Sequence, residues 1–254
     1  MDIPQYKFDS GIRLFNIGDV HRGDASCDAD LLHKVIAEIE NDPDAWWVST
    51  GDLLNTAMRG MKHDSIHDSL TLREEYKLLK QELLPIAEKC LGVVSSNHTG
   101  RVRDLTSLDL DEVFCGELGV PYLGDLGLIN ITCQRTSYFV AMHHGVGGGK
   151  GKGGKINGLE DMERIVPGAD VYLTGHTHQY MAFINDNAYI DRKRNLLSYH
   201  KAWFCTTGHF LNWDGSYAQR LKLRPAPKGA AVALLASSMS GVSANKDVTF
   251  SLFS

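Results

Sequence analysis

An α/β fold is what the sequence predicts, and three observations carry it. Strand-like and helix-like segments alternate through the first 180 residues. From about residue 181 the texture changes to short β runs. Throughout the first part, polar residues suited to a divalent cation recur just after apolar, β-rich runs, as a site at one edge of a sheet requires.

Each element has its own sequence grounds. Residues 12–17 and 45–50 are apolar runs of strand length. Between them Leu31, Leu32, Val35, Ile36 and Ile39 form a helical stripe after Asp28 and Asp30, either of which can cap it. Leu70, Leu72, Tyr76, Leu79, Leu83 and Leu84 predict a longer helix over about 66–90, kinked or divided by Pro85. Strands follow at 92–95 and 137–142, and a third helix at 157–166 leads into a strand at 170–174. The later β runs are 181–184, 202–206, 231–236 and 248–253, expected to complete the second of two sheets. There is no internal repeat, and the one low-complexity stretch is 145–155, GVGGGKGKGGK.

At 254 residues and 43% hydrophobic, the chain reads as one domain over 1–254, with a motif-bearing core at about 10–180 and a β-rich completion at about 181–254. The net charge of −5 marks no obvious polyanion binder. The charge is uneven, however. Residues 1–190 carry 17 Lys+Arg against 28 Asp+Glu, whereas residues 191–228 carry 8 against 2. That +6 segment, with Arg192, Lys193, Arg194, Arg220, Lys222 and Arg224, is either a solvated sheet edge or a surface attracting phosphate. Five cysteines without a CxxC pair suggest neither a disulfide framework nor a thiolate zinc site. No signal-like apolar region and no membrane-length run is present, so a reduced, cytoplasmic protein without membrane contact is expected.

The motifs that bear chemistry are Asp19-Val20-His21, Gly51-Asp52-Leu53-Leu54-Asn55, Ser96-Asn97-His98, His143-His144, and Gly175-His176-Thr177-His178. So many oxygen and imidazole donors exceed what one cation can use, which predicts two. Taken together and in this order, the motifs resemble those of the calcineurin-like metallophosphoesterases: DxH, GDxx(D/N), GNH(D/E), a strand-end His and GHxH. The resemblance implies a four-layer α/β/β/α sandwich of two mixed sheets flanked by helices. It also implies ligand roles. Asp19, His21 and His178 would hold one metal, Asp52 would bridge both, and Asn97, one histidine of the 143/144 pair and His176 would hold the second. His143 is preferred as that ligand, with His144 beside the site facing substrate. His98 would protonate the leaving oxygen after in-line attack by a hydroxide bridging the metals. Mn²⁺ is the first expectation for the metals, with Fe²⁺ or Zn²⁺ also suited to such donors.

Departures from the pattern are Ser96 for Gly, Thr99 for the acidic residue after His98, and Asn55 where a number of relatives carry Asp. Asn55 can orient His98 through a hydrogen bond but offers no charge to its imidazolium, which predicts a less basic His98. Arg101 is a candidate phosphate clamp, and Lys150 and Lys152 place ammonium groups in the glycine-rich loop. That loop and the spacing from Tyr217 to Pro225 resemble calcineurin-like proteins of phages and prophages, more loosely. Histidines 33, 63, 67, 200 and 209 read as surface or structural, His209 standing out because it follows a β run. The expected substrate is a phosphodiester, with nucleic acid or a nucleotide-derived diester first. A phosphomonoesterase and a non-catalytic metal-binding scaffold are the alternatives. Oligomeric state is left open.

Overall fold

The computed structural model describes residues 2–57, 70–145, 152–220, 222–240 and 243–254. Eleven strands among these form two mixed sheets. The first sheet has the order β1-β5-β6-β7-β9-β8, from β1 (Gln5–Phe8), β5 (Leu126–Cys133), β6 (Thr136–His143), β7 (Val171–Thr174), β9 (Leu196–Thr206) and β8 (Met181–Asp191). The second has the order β11-β10-β2-β3-β4, from β11 (Ser243–Phe253), β10 (Ala230–Ser240), β2 (Ile12–Asn16), β3 (Ala45–Ser49) and β4 (Cys90–Val93). Within the second sheet β2, β3 and β4 run parallel. Within the first, β6, β7 and β9 do.

Three apolar layers follow from strand alternation. Between the sheets lie Leu14, Val48 and Leu91 from one side and Ile129, Val140 and Leu173 from the other. Outside the second sheet, α1 (Ala29–Asn41), α2 (Leu72–Leu83) and α4 (Leu110–Leu118) bury their apolar stripes on Phe15 and Trp47. Outside the first sheet, α5 (Lys152–Ile165) packs Leu159 and Met162 near Tyr172 and Phe204. The result is the expected α/β/β/α sandwich.

Local chemistry explains the helix limits. Asp28, not Asp30, caps α1, its side chain accepting from the Leu31 amide at 3.1 Å. Thr71 and Glu74 form a reciprocal capping box at the start of α2. Pro85 divides the expected long helix, because α2 stops at Leu83 and a 3-10 turn covers Leu84–Lys89. Residues 66–69 of that expected helix lie outside the described residues. The third helix begins earlier than predicted, so Lys155 stands on α5 rather than in a loop.

One expectation about the later β runs is corrected. They do not complete a single sheet: β8 and β9 form the edge of the first, while β10 and β11 extend the second. Two hydrophobic hairpins of similar texture therefore go to different layers, and only long-range pairing decides which. All five cysteines are free. No helix among the described residues is long and apolar enough to cross a membrane.

Trp47 ties a helical layer to its sheet. It is fully buried, and its indole Nε1 donates to the Ile86 carbonyl at 2.7 Å. Trp47→Phe should lower the unfolding free energy by about 2–4 kcal/mol, because it opens a cavity and leaves a buried carbonyl unpaired. Urea denaturation followed by far-UV circular dichroism would measure this.

Candidate metal centre

The parallel strands of both sheets end at one edge of the sandwich. Past β2 come Asp19 and His21, past β3 Asp52, past β4 Asn97 and His98, at the end of β6 His144, and past β7 His176 and His178. Six strand ends converge because β9 also points this way and is followed by His209. A buried hydrogen-bonded cluster joins the two sheets beneath the site. The Asn16 side chain accepts from the Thr50 hydroxyl at 3.1 Å and donates to the Thr174 carbonyl at 3.4 Å, while the Thr207 hydroxyl donates to the Asn16 carbonyl at 2.9 Å.

The turns that follow are tight and strained. Asp19, His21, Asp52, His176 and His178 all hold left-handed backbones, with φ between 50° and 66°. Such a conformation costs a non-glycine residue roughly 1–2 kcal/mol. Cross-loop hydrogen bonds hold it in place: the amides of Val20 and His21 both donate to the Asp52 carbonyl at 2.9 Å, and the Asp19 amide donates to Gly51 at 3.1 Å. Gly51 permits the close approach, since its φ is +92° and a Cβ there would stand 2.8 Å from Ser96 and 2.9 Å from the Ser95 carbonyl.

Donor atoms gather into overlapping groups. Asp19, His21 and His178 form one, and Asp52, His144 and His176 another. Asp52 also joins His21 and His98. Its Oδ2 lies 3.1 Å from His144 Nε2 and 3.9 Å from both His21 Nε2 and His98 Nε2. Its Oδ1 accepts from the His98 backbone amide at 3.2 Å. Asp52 thus stands between the two groups. Asn97 sits at the second, its side chain 3.1 Å from His144 Nε2 and 3.3 Å from His176 Nδ1.

Two observations test whether these residues suit a cation. First, Asp19 is fully buried and its Oδ2 has no hydrogen-bond partner among the described residues, while Oδ1 accepts from the His176 amide at 2.9 Å. A buried carboxylate oxygen left bare is costly unless a positive charge faces it. Second, the Nε2 atoms of His21 and His178 approach to 3.0 Å. Burial, reinforced by neighbouring imidazoles, pushes the His21 pKa down to about 3 and holds His178 well below its ordinary value. Two neutral rings then bring their Nε2 atoms to one point, where both can turn a lone pair to a cation as ligands do. The donor set fits divalent cations.

The carboxylates are electrostatically opposed. Burial, together with Asp52, raises Asp19 to about 8. Burial works against the charge on Asp52 as well, yet the imidazoles of His144, His98 and His21 outweigh it and hold its carboxyl well below the usual range. Burial likewise disfavours the charge on His144, but Asp52, Asp19 and the Thr50 carbonyl raise it to about 9.

The structure corrects the choice within the histidine pair. His144 is buried and faces Asp52, with Nδ1 2.7 Å from the Thr50 carbonyl. His143 lies outside the donor groups, and its Nδ1 accepts from the Gly145 amide at 2.8 Å. Alternation explains this: His143 is still on the strand with its side chain turned aside, and the next residue points to the strand-end edge. His144 accordingly stands in a group that could hold a cation, and His143 does not.

The role of Asn55 is also corrected. Its backbone carbonyl, not its amide side chain, lies 2.7 Å from His98 Nδ1. The ring is thereby fixed with Nδ1 protonated and Nε2 turned toward Asp52. His98 is less basic than usual, as expected, but burial is the leading cause, with the charge of Arg101 adding to it. Arg101 is half-buried one turn along α3 (Asn97–Thr106) and near enough to be felt by His98. Arg103 is turned to Asp109 and Asp125, at 3.6 and 3.5 Å. Lys150 lies outside the described residues. Lys152 opens α5, with its side chain also outside them.

Two supporting residues went unnoticed in the sequence, and the place of a third, His209, comes from the fold. Asp111, on α4, accepts from the Ser96 amide at 2.9 Å and from the Thr99 hydroxyl, and so secures the Ser-Asn-His-Thr turn. That explains why Thr99 replaces an acid: it faces inward. Glu75, on α2, accepts from the amides of Asn55 and Thr56 at 3.2 and 2.9 Å. Both acids sit on helices among ordinary solvent-facing charges, and no local signal marks them. His209 lies in a near-parallel stack on His178, ring centroids 5.3 Å apart at 15°. Its Nδ1 accepts from the Leu211 amide at 3.1 Å, so it braces His178 rather than offering that nitrogen to a metal.

The +6 segment is dispersed by the fold. Arg192, Lys193 and Arg194 form the tip of the β8/β9 hairpin, whose other end, Met181 paired with Thr206, adjoins the site. Eleven strand residues separate them, roughly 35 Å. A phosphate at the donor cluster is out of their reach within one chain.

No protein-family model and no curated protein matches the chain. Among solved structures it is similar to vacuolar protein sorting 29 from Cryptosporidium parvum, with 16% identity over 96% of this chain and 100% of that one, at a TM-score of 0.46. Vps29 from Chaetomium thermophilum shows 12% identity, 95% and 98% coverage and a TM-score of 0.44. The nuclease MPE of Pseudomonas putida shows 12% identity, 87% and 82% coverage and a TM-score of 0.39.

Proposed function

We propose that this chain is a phosphoesterase dependent on two divalent cations, acting first on phosphodiesters, nucleic acid or nucleotide-derived. The observation that carries the reading is Asp52 standing between two donor groups, with the bare Asp19 Oδ2 in one of them. Asp19, His21, His178 and Asp52 would hold one ion. Asp52, Asn97, His144 and His176 would hold the other. Mn²⁺ is the first candidate, followed by Fe²⁺ or Zn²⁺. When bound, such a pair lowers the pKa of water and neutralises charge on the phosphoryl oxygens.

The chain's own residues supply the rest. The Asn55 carbonyl fixes His98 with Nε2 facing inward, from where its protonated form donates a proton to the leaving oxygen. Burial keeps that imidazolium acidic, which favours proton release to an alkoxide. Arg101, whose charge is felt by His98, is suited to orient a phosphate by paired hydrogen bonds. Asp111 and Glu75 hold the turns bearing Asn97, His98 and Asn55 in place.

A monoesterase is the competing reading, and comparison of bis-p-nitrophenyl phosphate with the monoester under Mn²⁺ separates the two. A monoester-only enzyme would sink the diester assignment. A metal-binding scaffold without activity is weakened by the complete donor set and the inward-facing His98.

His98→Ala should cut kcat by about 10²–10⁴-fold while both ions still bind. Turnover unaffected by both this change and Asp52→Asn would refute the mechanism. His144→Ala should reduce the calorimetric stoichiometry for Mn²⁺ from two to one, whereas His143→Ala should leave it at two. Acidity should act through the cation. Asp19 at about 8 and His144 at about 9 hold protons at neutral pH in the metal-free chain, and both must lose them to bind. Apparent affinity should therefore rise between about pH 6 and pH 9, with proton release at pH 7 that vanishes above both values. Calorimetry in buffers of different ionisation enthalpy reads both effects.

A further inference from the structure

The β8/β9 hairpin carries a face that the other described residues leave bare. Its strands pair in register, Ile184 with Trp203, Asp186 with Lys201, Ala188 with Tyr199 and Ile190 with Leu197. These rows lie on the side of the sheet that faces the second sheet, because Trp203 and Cys205 belong to the layer between them. Trp203 is buried, but beyond it Ile184, Ile190, Leu197 and Tyr199 are 53%, 71%, 58% and 68% exposed. The hairpin overhangs the second sheet. Its opposite face is covered over the half nearer the site, where Phe183 stacks on Phe204, Asn185 and Asn187 bond to Glu160 and Glu163 of α5, and His200 reaches the Ala169 carbonyl; only Tyr189 and Leu196, toward the tip, are exposed large side chains there. Large aliphatic and aromatic side chains grouped on one exposed face signal a partner rather than solvent.

We propose that this face packs against the same face of a second copy of the chain, as a two-fold dimer with its axis along the strands. Such an axis lays β8 of one copy over β9 of the other and preserves the row. Each residue then meets the counterpart of its own cross-strand neighbour. Ile190 meets Leu197, small Ala188 meets large Tyr199, and Asp186 meets Lys201, and each contact occurs twice. This is the self-complementarity an isologous interface needs. The acid and base are available for it, since no ion pair joins Asp186 to Lys201 within the chain and Lys201 Nζ lies instead 6.0 Å from the Trp203 ring centroid. Sheets packed face to face at about 10 Å accept side chains of this size. Three rows on two strands span only ~20 Å by ~10 Å, which puts the contact in the small, reversible class.

Sedimentation of the full chain from roughly 1 µM to roughly 100 µM should show the mass rise from 28.1 kDa toward twice that value. Asp186→Lys and Lys201→Asp, both at exposed positions, should each stay monomeric, because each places like charges together in its own dimer. Mixing the two should restore association, at least about tenfold tighter than either variant alone. A chain monomeric throughout this range overturns the proposal, as does a mixture no tighter than its components. Flotation with anionic phosphatidylserine vesicles, lost in an Arg192→Ala, Lys193→Ala, Arg194→Ala variant, would assign the face to a membrane and equally overturn it.

Discussion

Two carboxylates buried within one cluster of imidazoles are the constraint around which this molecule is arranged. Asp19 and Asp52 are both almost wholly removed from water, and among the described residues neither is paired with lysine or arginine. Burying such charge is unfavourable by several kcal/mol per ion unless a counter-charge is supplied. The chain supplies it only in part, through His144, and leaves Asp19 Oδ2 bare. A divalent cation would supply the missing counter-charge and take the place of the proton that burial holds on Asp19.

Holding these groups together requires a stiff frame. Five donors sit in left-handed backbone; main-chain hydrogen bonds join the Asp19–His21 loop to the Asp52 loop, and the His176 amide donates to the Asp19 carboxylate. Beneath them the Asn16, Thr50, Thr174 and Thr207 cluster locks the ends of the two sheets together. Around them Asp111 and Glu75 reach in from helices to grip the backbone amides of two loops. Local strain at the site is thus sustained by polar contacts whose partners come from many parts of the chain. The β9 segment belongs to this frame as well, since the Phe210 amide donates to the Asp19 carbonyl at 3.1 Å while His209 stacks on His178.

The hairpin and the site occupy opposite ends of the same strands. Met181 and Thr206 lie by the donor cluster, and the basic tip lies at the far end. Charge that reads as one segment in the sequence is thereby removed from the place where a phosphate would react. Nearer cations among the described residues include Arg101, felt by His98, and Lys155, whose Nζ donates to the Thr177 carbonyl at 3.0 Å.

The sequence by itself determined the element types and the strand-end placement of the donors, because each depends on local alternation and on residue chemistry at fixed spacing. The stripe on α1, the break at Pro85 and the strands leading to Asp19, Asp52 and His176 are all local features. Tertiary structure alone decided which sheet each late hairpin joins, since β8/β9 and β10/β11 look alike until they pair. It also decided that His144 rather than His143 faces Asp52, because that turns on which way a strand's last residue points. Asp111, Glu75 and Asn16 were illegible for the same reason: a buried polar residue reveals its purpose only through partners distant in sequence. His98 shows both sides. Its identity and inward role follow from its motif, whereas its orientation by a backbone carbonyl and its lowered basicity come from the burial that folding imposes.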